Sequence, residues 1–595
     1  MVLLRKTLYI LLTALVLASC ANRGVGPQGG PKDSIPPIEV RAIPLNGTVQ
    51  FEGKKIDILF NEYIQLSNIG QNLLMSPPQQ NPPDVKARGK HVQVIFKDSL
   101  RDSTTYTIDF GDAICDYTEK NPIHGYSFAF STGNIIDTLE LFGSVYNAEN
   151  SNPLTGIYVG IHDDLSDTAF TSAPFLRIAK TDSAGHFRIG NMRAGTYRLY
   201  AVDDVSRDYR LTIGEALAFA DDLIRVPQDS TPASTAEPLF LFKPEQQRLY
   251  LQRTLRDKQH IIQLLFSSSP DSVPTLRALP PSAVDNTKSD SAWTDPTPYL
   301  YTHYTTKRDT VTLWLTDSLA IRQDTLFFEA RYRRTDSIFQ LEWYTDTLRA
   351  VYRAPRLTAK AKEAIERQNR NRRLELKTNA RKNFEVYDTL RLTCTTPLAR
   401  IETDSIHLIE RVDTTSKTLP FTLVTRDSLP LTIQLVANLK PGGKYELRID
   451  SGALHDVYGI THIAGNYSLQ VKKIEEYATL RVKTSPYHPK ARIQLLNGKD
   501  NAILDLPAKE EGTLFEYLKP DTYYLRLYID ENGDGRWTTG SWDLKRQPEP
   551  VYYYSEMIQT KANWDFEEEW NYESASRVGT KPAELVKASA SKKKK

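Results

Sequence analysis

The chain has 595 residues, with 75 Lys and Arg against 73 Asp and Glu, so its formal net charge is only +2. That length exceeds what one hydrophobic core holds and implies roughly four or five domains. The near-neutral balance excludes a dedicated nucleic-acid binder. A 40% hydrophobic content with 31 Tyr and 21 Phe excludes global disorder, and 3 Cys exclude a disulfide scaffold.

At the N-terminus, Arg5 and Lys6 precede an apolar run from Leu8 to Leu17 that is too short to anchor in a bilayer. The run closes in Leu17-Ala18-Ser19-Cys20. This resembles a bacterial lipoprotein signal. The resemblance implies a signal peptide over 1–19 and a mature chain that begins with Cys20, acylated with chains such as palmitate. Several acyl chains on one residue anchor a protein stably. No later segment is apolar and uncharged over a membrane-spanning length, so the lipid is the one membrane attachment visible. Residues 20–37 are rich in Gly and Pro without periodicity and read as a flexible tether.

From residue 38 onward the chain alternates apolar and polar residues in short runs separated by turn residues, the spacing of β-sandwiches. Lys55-Ile56-Asp57-Ile58-Leu59-Phe60, Val92-Gln93-Val94-Ile95-Phe96 and Tyr106-Thr107-Ile108-Asp109-Phe110 are early strands. Thr312-Leu313-Trp314-Leu315 and Tyr523-Tyr524-Leu525-Arg526-Leu527-Tyr528 are later ones. Residues 356–383 differ: they are strongly basic with few apolar positions (Ile365, Leu374, Leu376), and read as a solvated helical linker. The Lys-rich end reads as a disordered basic tail over 573–595.

Two internal repeats stand out. Residues 100–116 and 439–456 share a Leu, a turn, a Tyr-led strand and a closing Asp. Residues 184–204 and 511–532 share a strand, a Gly- or Asp-containing turn and a Tyr-rich strand running into an acidic loop. The order is the same in both halves, which implies a duplicated two-domain unit flanking a middle domain.

The segment from Gly30-Pro31-Lys32-Asp33-Ser34-Ile35-Pro36-Pro37, through Phe60-Asn61-Glu62-Tyr63 and Thr105-Tyr106-Thr107-Ile108-Asp109-Phe110-Gly111-Asp112, to Phe128-Ala129-Phe130-Ser131-Thr132-Gly133 resembles the bacterial Ig-like domain of the S-layer-protein type. It is similar to the copy that opens a family of Bacteroidota lipoproteins. Residues 139–225 resemble a prealbumin-like domain of the carboxypeptidase-regulatory type. The resemblance extends to Asp530-Glu531-Asn532-Gly533-Asp534-Gly535-Arg536-Trp537 and to Asn563-Trp564-Asp565 near the C-terminus. The resulting expectation is an all-β chain of tandem β-sandwiches with one short basic helical linker. Its Ig-like domains cover 38–133 and 384–474, its prealbumin-like domains 134–235 and 475–572, and a middle β-domain 236–355.

Catalytic and metal motifs return little. The His residues are scattered, with His455 and His462 flanking a turn, and neither Cys115 nor Cys394 has a nearby His to activate it. Two acidic loops carry part of a calcium pattern, in which oxygen ligands alternate and a Gly makes the turn. In the first, Asp530, Asn532 and Asp534 would supply side-chain oxygens, Arg536 a carbonyl, and Asp543 would close the site. In the second, Asp204, Ser206, Asp208, Arg210, Thr212 and Glu215 follow the spacing with Tyr209 where Gly is wanted. The alternative is a pair of Asx-rich turns bonded to their own backbone. Any calcium would be structural. Asp-Ser and Asp-Thr before a small or aliphatic residue recur, as at Ser99, Ser318, Thr325, Thr347 and Ser405. This resembles the O-glycosylation motif of Bacteroidota envelope proteins, while Asp-Thr also suits a turn entering a strand.

The functional expectation is a non-enzymatic, lipid-anchored protein of the outer membrane that binds or scaffolds envelope proteins. A structural spacer or surface-layer element, and an accessory module of a carbohydrate-active system, are the alternatives.

Overall fold

The computed structural model describes residues 33–586 apart from 229–233, 245–248, 271, 273, 285–294, 305–308, 337–339, 356–357, 359, 361–362, 364–371, 413–414, 426–428 and 575. The expected signal peptide and Cys20 lie outside the described residues. The fold class is the one read from the sequence: almost all-β, arranged as tandem β-sandwiches, with a few short helices. Two compact units divide the chain, one comprising residues 1–145 and 153–239, the other 146–152 and 240–595.

The first unit opens with a sandwich. One sheet runs in the order Glu39–Ile43, Lys55–Phe60, His91–Ile95, Asp84–Arg88, and the facing sheet in the order Leu74–Ser76, Thr105–Asp109, Ser127–Ser131. Alternation decides what each strand buries. Ile56, Ile58 and Phe60 of one strand and Val92 and Val94 of its neighbour point into the core, where Tyr106 stacks on Phe130 at 5.4 Å. The second sandwich pairs Leu139–Asn147 antiparallel with His186–Met192 and parallel with Ser234–Thr235. Its other sheet is ordered Arg177–Lys180, Tyr158–His162, Gly195–Val202, Leu217–Phe219.

The second unit repeats both plans. Leu376–Thr378, Leu390–Cys394, Thr432–Val436 and Thr422–Val424 form one sheet of a sandwich, facing Thr415–Leu419, Ile406–Val412, Lys444–Ile449 and Gly465–Gln470. Ala478–Ser485 then pairs antiparallel with Thr513–Leu518 and parallel with Asp565–Asn571. That is the mixed arrangement of the sheet built on Leu139–Asn147. Between residues 249 and 351, the sheets Leu251–Lys258, Ile261–Phe266, Thr310–Leu315, Leu300–Tyr304 and Thr275–Leu279, Thr325–Thr335, Leu341–Val351 enclose their own core around Leu264, Leu313, Phe328 and Tyr332.

Two expectations need correction. Part of the basic stretch 356–383 lies outside the described residues, but its end is not helical. Leu376–Thr378 is a strand on Leu390–Cys394, and Leu374 is buried in the same core. The spacing of Leu374 and Leu376 is the two-residue period of a strand, which the surrounding charges obscure. The stretch 573–595 is not wholly a free tail. Lys581 Nζ donates to Asn150 O at 2.8 Å, Asn152 Oδ1 at 2.6 Å and Asp500 Oδ2 at 2.7 Å. Leu585, in a short helical turn, is fully buried with Leu496, Tyr524, Tyr528 and Val551. Charge counting missed this because the one cation that matters is neutralised by a distant Asp.

Candidate functional site: two self-bonded acidic loops

The acidic loops sit where the Tyr-rich strands of two sandwiches end, the one built on Leu139–Asn147 and the one built on Ala478–Ser485. The strand Gly195–Val202 runs into Asp204, and Thr522–Ile529 runs into Asp530. In the first loop, Asp204 Oδ1 accepts from Arg207 N at 2.5 Å and Oδ2 from Tyr209 N at 2.8 Å. In the second, Asp530 Oδ1 accepts from Gly533 N at 2.7 Å and Oδ2 from Gly535 N at 2.9 Å. The acceptor pattern is the same, three and five residues onward. The positions also share a left-handed backbone: φ is 59° at Arg207 and 58° at Tyr209, 74° at Gly533 and 75° at Gly535. Gly adopts that conformation freely, so the second loop forms with less strain than the first.

A second carboxylate closes each loop from the opposite side. Glu215 Oε1 accepts from Val205 N and Oε2 from Thr212 N. Glu549 Oε1 accepts from Glu531 N at 2.8 Å and Oε2 from Thr538 N at 2.8 Å. Burial pushes the Glu549 carboxyl up, and its bonds from the amides of Thr538 and Glu531 pull it partly back. Glu549 was not singled out from the sequence. The first loop carries its closing acid at Glu215, and an insertion moves the equivalent acid far down the chain in the second.

The remaining residues of the expected calcium set turn inward or outward without converging. Asn532 Oδ1 accepts from Asp534 N, while its Nδ2 donates to Asp534 Oδ2 and Thr538 Oγ1. Asp534 Oδ1 accepts from Arg536 N. Arg536 and Asp543 are exposed. Among the described residues no group of three or more His, Cys, Asp or Glu side chains is placed to hold a metal ion. Asp530 and Glu549 thus spend their oxygens on backbone amides, the role of an Asx-rich turn.

The inserted part of the second loop makes a joint. Gly540 lies against Phe242, where an added Cβ would come within 2.6 Å of the ring, and Thr539 Oγ1 donates to Lys243 O at 2.8 Å. A cleft of about 390 Å³ lies beside it, lined by Glu531, Asn532, Arg546, Gln547, Pro548 and Pro550 among others.

Stronger polar constellations lie where consecutive sandwiches meet within a unit. In the first unit the buried Arg177 donates to Ser76 O at 3.4 Å, to Thr105 O, and to Asp137 Oδ2 at 3.5 Å. Arg193 Nε reaches Asp137 Oδ1 at 3.0 Å and its Nη2 reaches Ser103 O. In the second unit the buried Glu385 carboxylate accepts from Tyr477 Oη at 2.7 Å and pairs with Lys519 at 2.8 Å and Lys472 at 3.3 Å.

Cys115, Cys394 and His462 are buried. Burial pushes the Cys394 thiol up to about 12 and raises that of Cys115, so neither is a poised nucleophile. His462 is 2% exposed and burial pushes its imidazole down. Ser99 and Thr347 are exposed, whereas Asp317, of the Asp317-Ser318 pair, caps a short helix by accepting from Ala320 N.

Residues 33–132 match the model of the bacterial Ig-like domain. No curated protein matches the chain in sequence. Among solved structures, the N-terminal part of the bacterial S-layer protein SbsC is 11% identical with a TM-score of 0.13. The match covers 31% of this chain and 40% of that one, so the chain spans under half of that structure's length. BcpA, the major pilin subunit of Bacillus cereus, is 8% identical with a TM-score of 0.13, covering 74% of this chain and 100% of that one. SGBP-B of the Bacteroides ovatus mixed-linkage glucan utilization locus is 10% identical with a TM-score of 0.14, covering 64% of this chain and 88% of that one. Superpositions this loose do not bear on function.

Proposed function

We propose that the chain is a non-catalytic envelope lipoprotein, anchored to the outer membrane through Cys20, that binds or scaffolds partner proteins. The observation that carries the scaffold role is the pair of charge clusters built on a buried group, Arg177 with Asp137 and Glu385 with Lys519 and Lys472. Each fastens one sandwich to the next within its unit. Buried ion pairs are poor sources of net stability and good sources of geometric specificity, which a protein needs when its task is to hold surfaces in fixed positions. The anchor is supported by Leu17-Ala18-Ser19-Cys20 behind a short apolar run.

Metabolic labelling with radioactive palmitate, followed by membrane fractionation, tests the anchor. Wild type should carry label and sediment with outer membranes, and Cys20→Ala should lose both. Affinity purification from detergent-solubilised membranes tests the scaffold role. Reproducible co-purification of envelope proteins at fixed ratio supports it, and a chain recovered alone overturns it.

A further inference from the structure

The three-stranded sheet Thr275–Leu279, Thr325–Thr335, Leu341–Val351 buries one face in the core around Phe328 and leaves the other uncovered. On a half-buried antiparallel sheet the uncovered face is ordinarily a mixture of charges of both signs. This one is not mixed. Strand alternation sets Arg277, Arg331, Arg333 and Arg349 on it with a single acid, Glu329. Trp343 stands among them, 54% exposed, directly across from Arg333, and the Arg331 guanidinium lies 4.9 Å from its ring centroid. Arg277, Arg331 and Arg349 form no ion pair among the described residues. An exposed Trp among guanidinium groups that outnumber the one acid on the face, Glu329 across from Arg277, is the composition of a binding surface.

We infer that this sheet face binds an acidic polysaccharide. Successive outward residues on a strand are spaced by about 7 Å and neighbouring strands by about 4.8 Å. The guanidinium groups therefore form a flat array suited to an extended chain bearing repeated anionic groups. Each planar fork can take a carboxylate or sulfate through two parallel hydrogen bonds. The indole supplies a flat apolar surface for the ring of a sugar. A bilayer suits the face less well, since a rigid sheet with one exposed Trp and little aliphatic surface has little to insert. The inference goes beyond the protein-binding role proposed above and depends neither on it nor on the lipid anchor.

The test uses the full mature chain purified in detergent, titrated with polygalacturonate, heparin and neutral dextran, with melting temperature followed in parallel. Wild type should bind polygalacturonate or heparin but not dextran, with affinity falling as salt rises. Arg331→Gln/Arg349→Gln and Trp343→Ala should each weaken that binding roughly tenfold or more at unchanged melting temperature. Arg400→Gln/Lys417→Gln, which removes two cations elsewhere, should change it less than about threefold. The inference is overturned if neither acidic polymer binds, or if the control variant loses as much as the Arg pair. It is also overturned if the same substitutions abolish binding to phosphatidylglycerol vesicles while polysaccharide binding is absent. Acyl labelling and co-purification read the proposed function separately, so the two can fail independently.

Discussion

Lys519, in the turn after the strand Thr513–Leu518, donates at 2.8 Å to Glu385, which lies beside the first strands of the preceding sandwich. The carboxylate is almost wholly removed from solvent, and Lys472 and the Tyr477 hydroxyl complete its shell. Tyr477 also packs against Tyr517 at 5.8 Å and Tyr387 at 6.3 Å, so the ionic contact is surrounded by an aromatic cluster. The charge at this junction favours one register between the two domains, because any other docking takes Lys519 away from a carboxylate that is 6% exposed and leaves it with Lys472 alone of the two cations.

Glu385→Gln should lower stability by about 1–3 kcal/mol, the cost of leaving partly exposed cations unpaired around a neutral side chain. The pH dependence follows from two opposite shifts. Burial pushes the Glu385 carboxyl up, but its bonds from Lys519, Tyr477 and Lys472 outweigh that and hold it below its ordinary value of 4.5. Its contribution is therefore complete above about pH 4.5 and is lost as pH falls through the depressed value. The bond to Glu385 raises Lys519 above its ordinary 10.5, so that contribution is complete below about pH 10.5 and lost as pH rises further. Chemical denaturation from pH 3 to 8 should show an acid-side loss in wild type that is smaller in Glu385→Gln. An identical acid limb in the two proteins would refute the assignment.

The acidic loops give a second prediction. Asp204 and Asp530 hold equivalent backbone amides, so Asp204→Ala and Asp530→Ala should each cost about 2–4 kcal/mol, the loss of two charge-assisted bonds. Since the carboxylates are satisfied by the chain itself, millimolar EDTA or calcium should leave the melting temperature of the wild type unchanged. A rise of several degrees with calcium would show that the loops reorganise around an ion.

Much of this was legible because the duplication repeats physical devices as well as residue types. The Tyr-led strands predicted at 106 and 445 each place a hydroxyl that accepts from a backbone amide five residues upstream, from Arg101 N at 2.7 Å and Lys440 N at 2.8 Å. The closing acids Asp116 and Asp456 both accept from amides in the turns that follow them. Local pattern reveals such features because donor and acceptor lie within a few residues. The partnership of Glu549 with the Asp530 loop, the Glu385 cluster and the Arg-rich sheet face join residues far apart in sequence, and alternation alone names neither partner. The strand at Leu376–Thr378 escaped for a different reason: two core positions in a cationic stretch carry too little periodicity to outweigh the composition.

The first unit makes a parallel prediction at its own joint. Asp137→Asn leaves the buried Arg177, which also donates to Ser76 O and Thr105 O, without a counter-charge, and replaces one of the two oxygens that face Arg193 Nε with an NH2 donor. Burial already pushes the Arg177 guanidinium down, with Asp137 the opposing charge. The expected loss is about 3–5 kcal/mol, and Arg177→Met should cost less than Asp137→Asn because it removes the stranded charge. Denaturant unfolding of both variants reads the order, and the reverse order would place the stability in the hydrogen bonds to the carbonyls instead.

Lys581 and Asp500 form the most enclosed ion pair near the C-terminus, with side chains 3% and 7% exposed. Asp500 also accepts from Tyr553 Oη at 3.0 Å, and Lys581 caps the turn at Asn150 and Asn152. A stop after residue 576 therefore removes the cation from a buried carboxylate and Leu585 from its apolar cluster together. Lys581→Ala alone should cost about 3–5 kcal/mol through the stranded Asp500. Leu585→Ala should cost about 2–5 kcal/mol through the cavity it leaves. Lys581→Met/Asp500→Leu should recover most of the ionic loss, since removing both charges abolishes the penalty that removing one creates. Removing the Lys-rich end after residue 586 deletes neither contact and should leave the unfolding free energy within about 0.5 kcal/mol of wild type. A truncation at 576 as stable as one at 586 would mean that residues 577–586 contribute nothing to the C-terminal sandwich.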